Sequence, residues 1–145
     1  MLFVCIGNAC RSPMALGFAR AYGSDVLKAE SAGLAPALAV SSLTRKVMLE
    51  KNVDLGQEFP KSLEMVDLAE FDVIVNISGY PFPVETGAQV DTWNVRDPIG
   101  ESEEVYQEVR DQIEQRVMRM ILELRSRKRP VAVESARVDT RRRTP

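Results

Sequence analysis

Apolar and polar positions alternate along the chain in blocks. Met1 to Val4 is a short apolar run that reads as a buried strand. Pro13 follows where its fixed φ and missing N–H suit the first position of a helix, with Ser12 as its cap. Met14, Phe18 and Ala21-Tyr22 then recur at helical spacing as far as Gly23, a residue at which helices often stop. Val26 to Ala32 reads as a second strand before Gly33, and Leu34 to Val40 as an Ala- and Pro-containing loop. Ser41-Ser42 caps a helix that carries Leu43, Val47 and Met48 on one face and ends at Asn52-Val53-Asp54. Ser62 opens a short helix through Leu63, Val66 and Leu68. Val73 to Ile77 is the clearest strand, apolar almost throughout, and suits the middle of a parallel sheet covered on both faces. Gln89 to Val95 is predicted as the last strand, ending in Arg96-Asp97-Pro98-Ile99-Gly100. A cap and early acids, Glu101-Ser102-Glu103-Glu104, start the last helix. Its Val105, Val109, Ile113, Val117, Ile121 and Leu124 form one stripe that packs on the sheet.

Strands alternating with helices predict an α/β fold. We expect a single three-layer domain with a four-stranded parallel sheet flanked by helices, doubly wound in the flavodoxin-like manner. A chain of 145 residues, 45% hydrophobic, has room for one such core. The domain is expected over 1–127, and 128–145 is expected as a basic, flexible tail, since the helical pattern dissolves after Arg125. Parallel strands joined this way bring their carboxyl ends to one edge, so the loops after the first, third and last strands should meet.

Charge narrows the class of partner. The net charge of −2 divides into +4 on residues 128–145, where six basic face two acidic side chains, and −6 on the remainder. A domain of that sign argues against nucleic-acid binding. No segment has the length of an apolar membrane span and the start does not resemble a signal peptide, so a cytoplasmic protein without membrane partners is expected. Histidine is absent, which removes the commonest general base and the commonest metal ligand; no metal and no cofactor is expected.

The candidate chemistry lies in Cys5-Ile6-Gly7-Asn8-Ala9-Cys10-Arg11-Ser12, between the first strand and the first helix. Backbone N–H groups over Ile6 to Ser12, at the positive end of the helix dipole, make a seat for a tetrahedral anion. That setting and Arg11 favour the thiolate of Cys5, a nucleophile. The Arg11 fork is suited to two oxygens of a bound phosphate. With histidine missing, a carboxyl must supply general acid catalysis, and Asp97, before Pro98, follows the last strand. From its residues alone Asp97 reads first as a turn aspartate, and Ser31 as a strand-end serine bonding its own backbone.

Val4 to Ala15 resembles the signature of the low-molecular-weight protein tyrosine phosphatases and their relatives the arsenate reductases, with weaker similarity through Ser31-Ala32-Gly33 and Asp97-Pro98 to about Leu124. The resemblance implies catalysis through a phosphocysteine on Cys5, with Arg11 on the phosphate and Asp97 as acid and then base. It also implies support from Ser12 on the sulfur and from Ser31 holding Asn8. A phosphorylated protein or small phosphomonoester is the implied substrate, and inorganic phosphate or arsenate the implied ligand. Ile99 stands where the phosphatases usually carry aromatic residues, and Trp93 with the stretch Val73 to Val95 looks more like the arsenate reductases. Thioredoxin-coupled reductases need further cysteines after the third strand, where this chain has Ser78, so arsenate reduction would depend on an external small thiol. A non-catalytic phosphate-binding module or phosphocarrier is the reading of another class; it would need neither Arg11 nor Asp97. Cys5 and Cys10 are a candidate redox pair, because a curled loop brings α-carbons five residues apart within disulfide reach.

Overall fold

The computed structural model describes residues 1–143, with side-chain surroundings as far as Arg127. Strands β1 (Leu2–Cys5), β2 (Glu30–Gly33), β3 (Val73–Asn76) and β4 (Gln89–Thr92) form one parallel sheet in the order β2-β1-β3-β4. Helices α1 (Arg11–Gly23), α2 (Ser42–Leu49) and α3 (Glu103–Arg143) accompany it. The order is that of a doubly wound fold whose direction reverses between β1 and β3, the place where ligands of such folds bind.

Period-two alternation sorts the core. Phe3 and Val75 turn to the face covered by all three helices, where they pack among Phe18, Val47, Ile113 and Val117. Leu2, Val4, Ala32 and Ile74 turn to the other face. The helix expected to open at Ser62 and run through Leu68 is instead two separate 3-10 turns, Leu63–Met65 and Leu68–Glu70, and with Phe71 and Phe82 these cover that second face. Handedness explains their position: the chain moves from β1 to β2 in one direction and from β2 to β3 in the other, so right-handed crossovers must pass over opposite faces.

Pairing trims the strands. β2 starts at Glu30 rather than Val26, because β1 is its partner and Leu2 lies opposite Glu30. β4 ends at Thr92 rather than Val95, since β3 stops at Asn76 and the ladder closes with the Trp93 N–H on the Asn76 carbonyl at 3.0 Å. Beyond it Trp93 packs against Phe3, ring centroids 5.9 Å apart. α1 begins at Arg11, so Pro13 is its third residue, still within the first turn where no N–H has an intrahelical partner. Ser12 is therefore inside the helix and is not its cap.

α3 joins the layer through the predicted stripe: Val109, Ile113, Val117 and Ile121 are buried, and Tyr106 and Arg110, outside that stripe, are buried too. Gly23 admits Ile121, since a Cβ there would lie 2.7 Å from the Ile121 Cδ1. The helix continues to Arg143, past the end of the apolar stripe at Leu124. The end of the stripe is therefore not the end of the helix. The expected flexible tail over 128–145 falls outside the residues described with side chains. Among the described residues no helix is long and apolar enough to cross a membrane.

Candidate active site

β1 delivers Cys5 to the carboxyl edge of the sheet, and the loop that follows curls back into α1. The segment after β2 holds the curl: the N–H groups of Leu34, Ala35, Ala37 and Ser41 donate to the carbonyls of Cys5, Ile6, Gly7 and Ala9 at 2.8–3.0 Å. In a planar trans peptide the N–H points opposite to the C=O, so the N–H groups of Gly7, Asn8 and Cys10 face away from that segment. Two features make the curl possible. Asn8 adopts φ 50°, a left-handed conformation that asparagine tolerates better than most residues. Gly33 lets β2 pass close behind, where a Cβ would lie 2.7 Å from the Ile6 carbonyl oxygen and 2.9 Å from the Asn8 nitrogen.

Asn8 is the internal brace. Its Nδ2 donates to Ser12 Oγ at 2.8 Å and to Ser31 Oγ at 2.9 Å, and its Oδ1 accepts the Lys61 N–H at 2.9 Å. Ser12 Oγ also lies 2.9 Å from Cys5 Sγ. A hydroxyl against the sulfur is the partner a thiolate nucleophile and leaving group needs. All four side chains are buried. The hydroxyl that sequence placed at the helix cap is thus spent on the sulfur.

Arg11 is 4% exposed. Its Nη1 donates to the carbonyls of Ile77 at 2.7 Å and Val95 at 3.1 Å, tying the loop after β1 to the chain leaving β3 and β4. Its Nη2 lies 3.5 Å from Asp97 Oδ2, and its buried Nε has no hydrogen-bond partner among the described residues. Such a donor suits an oxyanion. Asp97 Oδ1 accepts the Ile99 N–H at 3.1 Å, which fixes the carboxyl in its turn. Cys5, Ile6, Gly7, Ala9, Cys10, Arg11 and Asp97 line one pocket of about 160 Å³, joined by Ala37 and Ile99 at its walls.

Every residue singled out from the sequence is therefore placed in or beside this pocket, Asn8, Ser12 and Ser31 as the framework behind it. Cys10 lies in the same loop with a buried thiol that donates to the Tyr106 hydroxyl at 3.6 Å, and burial pushes that thiol above the ordinary cysteine range. Both cysteines are free. Thr44, Tyr106, Lys61 and Ala37 also hold or line the site, and sequence alone does not single them out. The close approach at Gly33 is the kind that a glycine at a strand end can signal. Among the described residues no cluster of side chains is suited to hold a metal ion.

Comparison with known proteins adds a lineage to this geometry. A glutaredoxin arsenate reductase of Synechocystis sp. is 31% identical over 128 residues, which cover 86% of this chain and 97% of that protein. The crystal structure of an arsenate reductase from Archaeoglobus fulgidus superposes with a TM-score of 0.76 at 33% identity, over 83% of this chain and 97% of that one. A low molecular weight protein tyrosine phosphatase from T. tengcongensis gives 0.71 at 29% identity, over 84% and 97%. Residues 1–80, more than half of the chain, match the low molecular weight phosphotyrosine protein phosphatase family, and it is to this family that the chain belongs.

Proposed function

We propose that the protein is a phosphomonoesterase working through a phosphocysteine. The observation that carries this reading is Asp97: a carboxyl about one-third exposed on the pocket that Cys5 lines, 3.5 Å from Arg11. Cys5 Sγ attacks phosphorus in line with the leaving alcohol; the S–P bond forms as the P–O bond breaks, and Asp97 gives its proton to the departing oxygen. Asp97, now a carboxylate, takes a proton from a water that attacks the phosphocysteine. The S–P bond breaks, phosphate leaves, and Ser12 hydrogen-bonds the thiolate that departs. Arg11 and the loop N–H groups hold the equatorial oxygens in both steps. Ala37 and the exposed Ile99 at the mouth place aliphatic side chains beside the leaving group, so the substrate is a phosphorylated protein or a small phosphoester without a required aromatic ring. Phosphate release from p-nitrophenyl phosphate by the pure protein tests the reading. Cys5→Ser should lower the rate at least about a thousandfold; a serine variant that keeps parental turnover rules the phosphocysteine out.

Arsenate reduction is the second reading, favoured by the names of the relatives. Arsenate is nearly isosteric with phosphate and fits the same seat. Both cysteines of this chain lie in the loop, and after β3 stands Ser78, whose Oγ donates to Asn76 Oδ1 at 2.6 Å. An arsenic–sulfur adduct on Cys5 would therefore be resolved by an external thiol such as glutathione or mycothiol. Thiol oxidation that depends on arsenate, with no phosphate release from esters, would select this reading.

A further inference from the structure

The second half of the anion loop is braced from behind by α2 and α3. The carbonyls of Cys5, Ile6 and Gly7 each take one backbone donor, but that of Ala9 takes two: the Ser41 N–H at 3.0 Å and the Thr44 hydroxyl at 3.0 Å. Thr44 is fully buried in α2, and its hydroxyl also lies against the Cys10 thiol. Tyr106 of α3 closes the same wall, its hydroxyl 3.1 Å from Ser41 Oγ.

This doubling decides which way one peptide faces. With the Ala9 oxygen drawn back toward α2, planarity turns the Cys10 N–H to the opposite side, where Ala9 and Cys10 line the pocket. A flipped peptide would present a carbonyl oxygen to an anion instead. One backbone bond from Ser41 resists the flip; the hydroxyl adds a second restraint from a separate residue.

We propose that Thr44 is a positioning residue for oxyanion binding, whose hydroxyl keeps the Ala9–Cys10 peptide turned so that the Cys10 N–H donates to the bound oxyanion. The proposal rests on the loop being an oxyanion seat and is independent of whether hydrolysis or reduction follows. Losing a buried hydrogen bond shifts the balance between the two peptide orientations, and apparent affinity falls with the competent fraction.

Titration of inorganic phosphate by calorimetry into the parent, Thr44→Val and Thr44→Ser chains, beside melting curves taken without phosphate, tests it. Thr44→Val should bind phosphate about three- to tenfold more weakly, the range that one hydrogen bond supplies. Thr44→Ser, which keeps the hydroxyl, should bind as the parent does even if it melts lower. Should the valine variant not fold, Thr44→Ala removes the same hydroxyl without adding a methyl and must show the same weakening. Parental affinity in the variants lacking the hydroxyl, or a loss in Thr44→Ser equal to theirs, overturns the role of Thr44 alone. A parent chain that binds no phosphate overturns the seat and this role together.

Discussion

At the scale of single residues the two carboxyl oxygens of Asp97 have separate partners. Asp97 commits Oδ1 to the Ile99 N–H and turns Oδ2 toward Arg11. A general acid matters most when the leaving group is a poor one. Asp97→Asn should therefore slow phenyl phosphate hydrolysis by about 10²–10⁴-fold and p-nitrophenyl phosphate hydrolysis far less, measured as kcat on each. Equal losses on the two esters would make Asp97 a tether for Arg11 and nothing more. Cys10 is a different kind of residue: buried, its thiol pushed above the ordinary cysteine range by that burial, and donating to the Tyr106 hydroxyl. We propose nonetheless that it guards Cys5, because a sulfenic acid formed on Cys5 by peroxide has a thiol in the same loop to condense with, releasing water and forming the disulfide. Brief peroxide treatment should leave a Cys5–Cys10 crosslink visible by mass spectrometry and reversed by dithiothreitol. In Cys10→Ser the same treatment should cause a permanent loss, and full recovery there would end the protective role.

Elements meet behind the loop through charges as well as through the core. Glu58 links Arg20 of α1 to Lys61, whose N–H holds Asn8. Burial pushes the Glu58 carboxyl up, but hydrogen bonds and charges from Arg20 and Lys61 together outweigh it and bring the group below its ordinary value. A carboxylate lowered in the folded state contributes stability that is present above the ordinary glutamate range and is lost as pH falls through the lower, folded value. Glu58→Gln should therefore melt below the parent at about pH 6, and the two melting temperatures should converge as pH is lowered toward about 3. A gap that stays constant over that range would mean that the glutamine loses packing and not charge.

For the whole molecule, the sheet and three helices make one α/β domain whose carboxyl edge carries the site. We propose that this working unit ends near Arg127, because the last side chain of the α3 stripe is Leu124. A chain truncated after Arg127 should keep its kcat/KM within about twofold and its melting temperature within a few degrees. A larger fall would show that residues 128–145 pack on the domain. The same truncation removes a net +4 and leaves −6, so substrate capture that weakens only at low salt would assign those charges a steering role.

Much of this was legible in order along the chain, and the parts that were share a physical character. Cys5 to Ser12 is contiguous, so its thiol, guanidinium and hydroxyl announce an anion seat before any packing is known. The buried strand Val73–Asn76 and the four- and three-residue steps of α3 are likewise local, since one element's periodicity records which of its faces is buried. What folding alone decided are contacts between residues far apart. Tyr106 reaches Cys10 across 96 positions, Thr44 reaches Ala9 across 35, and the Lys61 N–H reaches Asn8 across 53. Nothing in the neighbours of Thr44 marks it, because a buried threonine on α2 becomes a brace only where the loop carbonyl comes to lie. Ser12 shows the same limit from the other side: its position beside Pro13 suited a helix cap, but the helix begins at Arg11, two residues before Pro13, and the hydroxyl goes to sulfur. Local pattern determined which apolar stripes are buried and which chemistry the loop carries; tertiary packing decided which polar side chains join them, Thr44, Tyr106 and Arg110 among them, and where polar atoms point, because each hydrogen bond depends on a partner that only the assembled layers supply.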